Sequence, residues 1–283
     1  MLEEMRRDSS VFVMGEDVGK RGGVFLATKG FIEEFGSARV LDTPLAEASI
    51  AGIAVGSAMH GLRPIAEIQF ADFIWPTINQ LVGEAARVRY GTKGKLNVPM
   101  VVRSPYGGHV RGGLYHSQSV ESFFAHTPGL KVVIPATPYD AKGLLKSAIR
   151  DDDPVIVLEH KRTYRSVRGE VPDEDYVIPI GSADVKLEGE HATIVTYGLT
   201  LHYSLQAAEI LAKDGIKIEI IDLRTVRPLD IETIITSVQK TNRVLIVQED
   251  NAAVSVGSEV SALISEHSFE SLDAPIMRCT GPE

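Results

Sequence analysis

The sequence predicts an α/β protein of two domains, each a mainly parallel sheet covered by helices. Strand-like and helix-like segments alternate through all 283 residues, the pattern of βαβ units rather than of an all-α or all-β chain. The strand-like runs are apolar without strict alternation, as strands buried on both faces must be. The alternation pauses once, between Lys161 and about Glu190, where charged residues dominate and Pro172, Pro179 and Gly181 interrupt, and then restarts, so the chain reads as two units of ordinary size. The expected bounds are a first domain over 1–165, a connection over 166–190 and a second domain over 191–283.

Taken in order, Val11-Phe12-Val13-Met14 reads as a strand closed by Gly15, with a loop around Gly19, Gly22 and Gly23 after it. The run Leu41 to Gly56 reads as a helix of small and apolar residues, with Pro44, whose φ is fixed, in the first turn. One carboxylate, Glu47, sits about a turn inside it. Among Ala, Ile and Gly that carboxylate is expected to lose solvation and to titrate above its ordinary range. It serves either the positive end of the helix dipole or a ligand, and the local sequence leaves both open. Pro64 to Gln69 is a strand, and Phe73 to Tyr90 a helix with Trp75, Ile78, Leu81, Val82, Ala85 and Val88 on its apolar stripe. Val98 to Arg103 and Lys131 to Ile134 are strands, Thr137 to Arg150 is a helix opening on Thr-Pro, and Pro154 to Glu159 is a strand. Beyond the connection the same reading gives strands at 192–196, 216–221, 244–248 and 275–278, with helices at 200–213, 229–240 and 258–267.

Composition narrows the function. A net charge of −9 argues against nucleic acid, whose phosphates need a basic face. No apolar run approaches the ~20 residues that cross a bilayer, and the first residues lack the apolar stretch of a signal peptide. The single cysteine, Cys279, excludes an intrachain disulfide and fits a reducing compartment. It lies in an apolar run and is expected in the core. The chain reads as cytoplasmic, or as a processed mitochondrial matrix protein if eukaryotic.

The chemistry concentrates in the loop Arg103 to Ser119, which leaves a buried strand and carries Gly107, Gly108, Gly112 and Gly113 beside His109, Arg111 and His116. Loops at the carboxyl edge of a parallel sheet hold ligands. Glycines allow close backbone approach, and histidines with arginines suit an anionic substrate. His116 is followed by Ser117 and Gln118, both able to orient an imidazole. Neither G-x-G-x-x-G nor G-x-x-x-x-G-K-[ST] occurs, so nucleotide-binding signatures are missing.

Several of these stretches together resemble a known family. Gly15-Glu16-Asp17-Val18-Gly19, Asp42-Thr43-Pro44-Leu45-Ala46-Glu47, Glu67 to Phe73, Leu114 to Ser119, Lys131 to Lys146 and Asp222-Leu223-Arg224-Thr225 are similar to the beta subunit of thiamine-diphosphate-dependent 2-oxo acid dehydrogenases, in order and over essentially the whole chain. The resemblance implies two transketolase-like domains, the first pyrimidine-binding. It also implies an alpha-two beta-two tetramer, a lipoyl acyltransferase core as partner and a small 2-oxo acid as substrate. The family's glutamate at the position of Glu47 hydrogen-bonds a ring nitrogen of the cofactor's aminopyrimidine and favours the imino tautomer that generates the ylid. Phe73 matches the residue packing on that ring, with Leu45 and Gln69 beside it. His116 matches the family's active-site histidine, which assists acyl transfer to the lipoyl arm. Ala148 to Pro154, with Met100, resembles a structural potassium site made largely of backbone carbonyls. The residues carried over there are Met100, Ala148, Ile149, Asp151 and Asp153, and a solvated acidic turn is the plain alternative.

The family's diphosphate and magnesium are held through a Gly-Asp-Gly motif, which this sequence lacks. Both are therefore expected on an alpha subunit, with the active site at the interface. The family's beta chains usually extend further at both ends, so a shortened chain is expected. The Tyr115 to Ser119 and Ser122 to His126 stretches look closer to branched-chain than to pyruvate enzymes. Two other readings stay open: a single-chain transketolase-type enzyme, which the missing motif opposes, and a non-catalytic module of the same fold, which Glu47 and His116 oppose.

Overall fold

The computed structural model describes residues 1–282. Its strands are β1 (Val11–Gly15), β2 (Val40–Asp42), β3 (Arg63–Glu67), β4 (Val101–Tyr106), β5 (Lys131–Val133), β6 (Val155–His160), β7 (Asp184–Leu187), β8 (Ala192–Thr196), β9 (Ile218–Asp222), β10 (Thr225–Arg227), β11 (Val244–Val247) and β12 (Met277–Cys279). They form a seven-stranded sheet in the order β10-β5-β6-β4-β3-β1-β2 and a five-stranded sheet in the order β12-β11-β8-β9-β7. All pairs are parallel except β10 with β5 and β7 with β9, each at an edge. Both fold-class expectations, two α/β units and parallel sheets, are met. As predicted from their apolar runs, β1, β4, β6 and β9 are buried along their whole length.

Several local expectations are corrected. Residues 73–90 are not one α-helix. Short 3-10 turns at Ala71–Phe73 and Trp75–Thr77 lead into a wide π-helical stretch, Asn79–Ala85, and only Ala86–Gly91 is α-helical. Pro76 has no N–H for an α-helical ladder, so a regular helix cannot run through it. The stretch 166–190, read as a connection, contains β7, an edge strand on β9. Two of its charged residues, Asp184 and Lys186, lie in this strand, which is only partly buried. Thr225–Arg227, in the second half of the sequence, joins the first sheet through β5. Cys279 is exposed on β12 rather than in the core, because that short strand is the edge of its sheet. No described helix is long and apolar enough to cross a membrane.

One core crosses both units. Met14, Ile50, Ile68, Tyr106 and Phe124 share a cluster with Tyr197, Ile221, Ile246 and Ile264, so the two sheets pack through one apolar layer. Polar groups are sealed into the same layer. Glu121 is fully buried, accepts the Tyr197 hydroxyl at 2.9 Å, and is pushed up to about 8, first by burial and then by Asp250. Asp222 is buried too and is pushed up to about 7 by burial and by Asp140. A carboxyl raised in the folded state keeps a proton that the unfolded chain releases. Stability is therefore full below the ordinary carboxyl range and falls as pH rises towards the folded values. The melting temperature of the chain is expected to drop between pH 5 and pH 8.5. Glu121→Gln, which retains an acceptor for Tyr197, should show a shallower drop in the upper part of that window. Equal drops in the two proteins would show that Glu121 does not carry the effect.

Candidate active site

The parallel strands β2, β1, β3, β4 and β6 are adjacent, so their following loops leave from one edge of the sheet. The loop after β1 brings Glu16, that after β2 brings Leu45 and Glu47, and that after β3 brings Gln69, Phe70 and Phe73. The loop after β4 brings His116, and Lys161 follows β6. This is the carboxyl edge, where α/β sheets bind ligands.

Beneath it lies a buried ion cluster. Arg103 of β4 donates to Glu67 of β3 at 2.5 Å and, bidentately, to Glu159 of β6 at 3.0 and 2.5 Å. The Tyr164 hydroxyl donates to Glu159 at 2.6 Å. Burial outweighs Arg103 for Glu67, which is raised. Glu159 takes the bidentate contact and the tyrosine as well, and is held below the usual carboxylate range despite its burial.

Glu47 is the first residue of the helix Glu47–Met59, not a residue one turn inside it. Ala46 is non-helical at φ −156° and ψ 70°, and the Thr43 N–H donates to the Gly15 carbonyl at 2.9 Å. That bond keeps the preceding segment in the strand direction, so Pro44 lies before the helix. The Glu47 side chain is half-buried, so within this chain its loss of solvation is partial. Its charge reaches Glu16, whose carboxyl is raised by burial and then by Glu47 and Asp17. The Oε1 atom of Glu16 is buried without a protein partner, a lone acceptor open to a ligand's donor. Gln69 Nε2 lies 3.4 Å from both the Glu16 carbonyl and the Asp17 carboxylate. Leu45, at 79% exposure, has no packing partner in the chain itself.

His116 closes a 3-10 turn, Leu114–His116. Its ring meets Phe70 edge-on at 4.7 Å and Phe73 at 5.4 Å between centroids, so two aromatic rings hold the imidazole. The Ser117 and Gln118 side chains do not orient it as expected. Their backbone N–H groups donate instead to Asp72 Oδ1 at 2.9 and 3.1 Å. Gly112 is required here, since a Cβ on it would lie 2.4 Å from His116 Cβ. His116 Nδ1 is buried and unpartnered. Lys161 Nζ lies 3.9 Å from Asp72 Oδ2 and 5.5 Å from the Phe70 ring centre, and burial holds that ammonium below its usual range.

The structure therefore brings Glu47, Gln69, Phe73 and His116 to one edge and adds Glu16, Asp72 and Lys161. The only sequence signal for Glu16 was its place in the Gly15–Gly19 motif. Asp72 likewise lay within the Glu67 to Phe73 motif, and nothing local marked Lys161, whose place comes from packing.

The residues carried over for potassium lie elsewhere. Met100 precedes β4 and Ala148 to Asp153 precede β6, so they sit at the opposite, amino edge. The Ile149 and Asp151 carbonyls accept Arg63 at 3.0 and 2.8 Å. The Met100 carbonyl accepts Val155 N–H at 3.0 Å, and that of Ala148 accepts Asp151 N–H at 3.4 Å. Lys131 binds the Asp151 carboxylate at 2.8 and 2.7 Å, and Asp153 pairs with Lys131 and Arg89. Protein cations thus hold the Ile149 and Asp151 carbonyls and the Asp151 and Asp153 carboxylates, while backbone N–H groups hold the Met100 and Ala148 carbonyls.

The sequence matches the family model described as transketolase, pyrimidine binding domain, over residues 1–167, and that described as transketolase, C-terminal domain, over 181–283. It is 62% identical over 283 residues to the 2-oxoisovalerate dehydrogenase subunit beta of Bacillus subtilis (strain 168), covering 100% of this chain and 86% of that protein. It is 51% identical over 280 residues to the pyruvate dehydrogenase E1 component subunit beta of the same strain, covering 99% and 86%. Among solved structures, a split gene transketolase described as an inactive beta4 tetramer aligns with a TM-score of 0.81. That match covers 100% of this chain and 86% of the other at 21% identity, which speaks to the fold alone.

Proposed function

We propose a function from one premise: the chain belongs to the beta-subunit family of the thiamine-diphosphate-dependent 2-oxo acid dehydrogenases. It acts as the beta half of an alpha-two beta-two enzyme that decarboxylates a 2-oxo acid oxidatively and passes the acyl group to a lipoyl domain of an acyltransferase core. The higher identity to the 2-oxoisovalerate relative than to the pyruvate one, 62% against 51%, favours a branched-chain substrate. The observation that carries the reading is the meeting, at one sheet edge, of a helix-opening carboxylate with an imidazole held on two aromatic rings.

The residues at that edge fit a nitrogen heterocycle. Glu47 offers an acceptor at the start of its helix, the Phe73 ring offers an apolar face, and buried polar atoms of Glu16 and His116 have no protein partner. When bound, thiamine diphosphate supplies the carbon nucleophile and electron sink that this decarboxylation needs. Glu47 would share a proton with a ring nitrogen of the aminopyrimidine, Phe73 and Leu45 would pack on it, and Gln69 would line its edge. The exposed Leu45 and half-buried Glu47 support a site completed by another subunit. The missing Gly-Asp-Gly supports placing the diphosphate and magnesium contacts on that alpha subunit. His116 would move a proton at the acyl oxygen or at the lipoyl sulfur.

Two measurements on the chain assembled with its alpha subunit test this. Glu47→Gln keeps the shape but cannot share a proton in the same way, so decarboxylation is expected to fall about 100-fold or more with folding little changed. A variant with near-normal turnover would refute the role of Glu47. His116→Ala is expected to lose acyl transfer to a lipoyl domain far more than decarboxylation followed with an artificial electron acceptor. If both rates fall by the same factor, His116 serves a shared step or merely holds its loop.

A further inference from the structure

A carboxylate of the second unit grips the His116 loop at its root. Glu249 follows β11. Its Oε1 accepts the Gly108 N–H at 2.6 Å, and its Oε2 lies 2.7 Å from His160 Nε2. His160 is fully buried, and its Nδ1 accepts the Arg162 N–H at 3.1 Å. The ring proton therefore sits on Nε2 and points at Glu249. Gly107 makes this closure possible: its φ is +82°, and a Cβ there would lie 2.2 Å from His160 Nε2. Burial opposes ionisation of Glu249, yet the bonds from His160 and Gly108 hold its carboxyl below the usual range, so both donors face a charged acceptor.

The loop is thus fastened at two posts. Gly107 N–H donates to the Gln118 carbonyl at 2.9 Å and closes its base. Asp72 of the first unit holds Ser117 and Gln118 at the far end, and Glu249 of the second unit holds Gly108 at the near end. Between them, residues 109–115 are exposed, with His109 contacting Arg162 and Tyr203 at 2.9 and 3.3 Å. With the Glu249 post released, the segment that seats His116 against Phe70 and Phe73 loses its hold at Gly108.

We propose that Glu249 is a positioning residue for His116: through Gly108 and His160 it lets the second unit set the seat of the acyl-transfer imidazole. The hold on the loop stands on geometry alone; its consequence for acyl transfer rests on the function proposed above. Glu249→Gln presents one acceptor oxygen and one NH2 group to two donors, so one contact breaks whichever way the amide turns. In the full chain assembled with its alpha subunit, amide hydrogen exchange across residues 107–118 is expected to rise about tenfold, the scale of losing a hydrogen bond to a charged group. Lipoyl transfer should fall about tenfold more than decarboxylation. Added to His116→Ala, Glu249→Gln should cause no further loss of transfer, because the two act through one imidazole. Should Glu249→Gln fail to fold, Glu249→Asp keeps the charge one methylene short of bridging both donors, and the same exchange increase is expected of it. Unchanged loop exchange overturns the proposal. So does faster exchange with an unchanged ratio of transfer to decarboxylation, where His116→Ala does change that ratio. If His116→Ala leaves the ratio unchanged, the transfer role of His116 fails instead, and loop exchange alone decides whether Glu249 holds the loop.

Discussion

The guanidinium of Arg103, sealed between Glu67 and Glu159, ties together the three central strands from which most of the site emerges. Each of these residues lies within a few positions of its strand's carboxyl end, and the next residues along the chain are Gln69, the His116 loop and Lys161. A buried charge left without its partner is strongly destabilising. The cluster therefore resists any slip of one strand against the next, and the relative height of the three loops is set from below. One arginine cannot neutralise two carboxylates, and the imbalance falls on Glu67, which has the single contact and is raised.

Above that floor the site is built of groups whose needs this chain meets only in part. Glu47 is half-buried, Leu45 is exposed, and Glu16 Oε1 and His116 Nδ1 are buried without partners. Buried polar atoms are rarely left unpaired, and an exposed leucine two residues before a half-buried carboxylate offers an apolar surface to a partner. These features suit the half-site that the proposed assembly with an alpha subunit calls for. The low solvation that a proton-sharing glutamate needs would come from the covering surface and not from the helix that carries it.

The second unit is more than a neighbour. It lends β10 to the edge of the first sheet, shares one apolar layer with it, and sends Glu249 onto the base of the His116 loop. Glu121 and Tyr197 meet across the same contact, so protonation inside that layer bears on how the two units hold together. A loop fastened by both units can move only as far as they allow. That suits the acyl-transfer role proposed for His116.

The sequence by itself determined the fold class and nominated the site residues that the structure gathers at one sheet edge, because both rest on local or ordered signals. Apolar runs without alternation specify strands covered on both faces, and Glu47, Gln69, Phe73 and His116 lie in motifs readable in chain order. Local chemistry was a poorer guide where it depended on neighbours. Pro76 broke a helix that its apolar stripe seemed to require, charged residues hid the edge strand β7, and Cys279 proved exposed because β12 ends a sheet. Only the tertiary structure showed that Arg63, Lys131 and Arg89 take up the oxygens of the loop at 148–153, since these cations come from distant elements. Lys161, His160 and Glu249, and the partners of Asp72, were illegible for the same reason. Each acts through a partner far along the chain (141 residues for Gly108 and Glu249), and only packing brings such pairs within hydrogen-bonding reach.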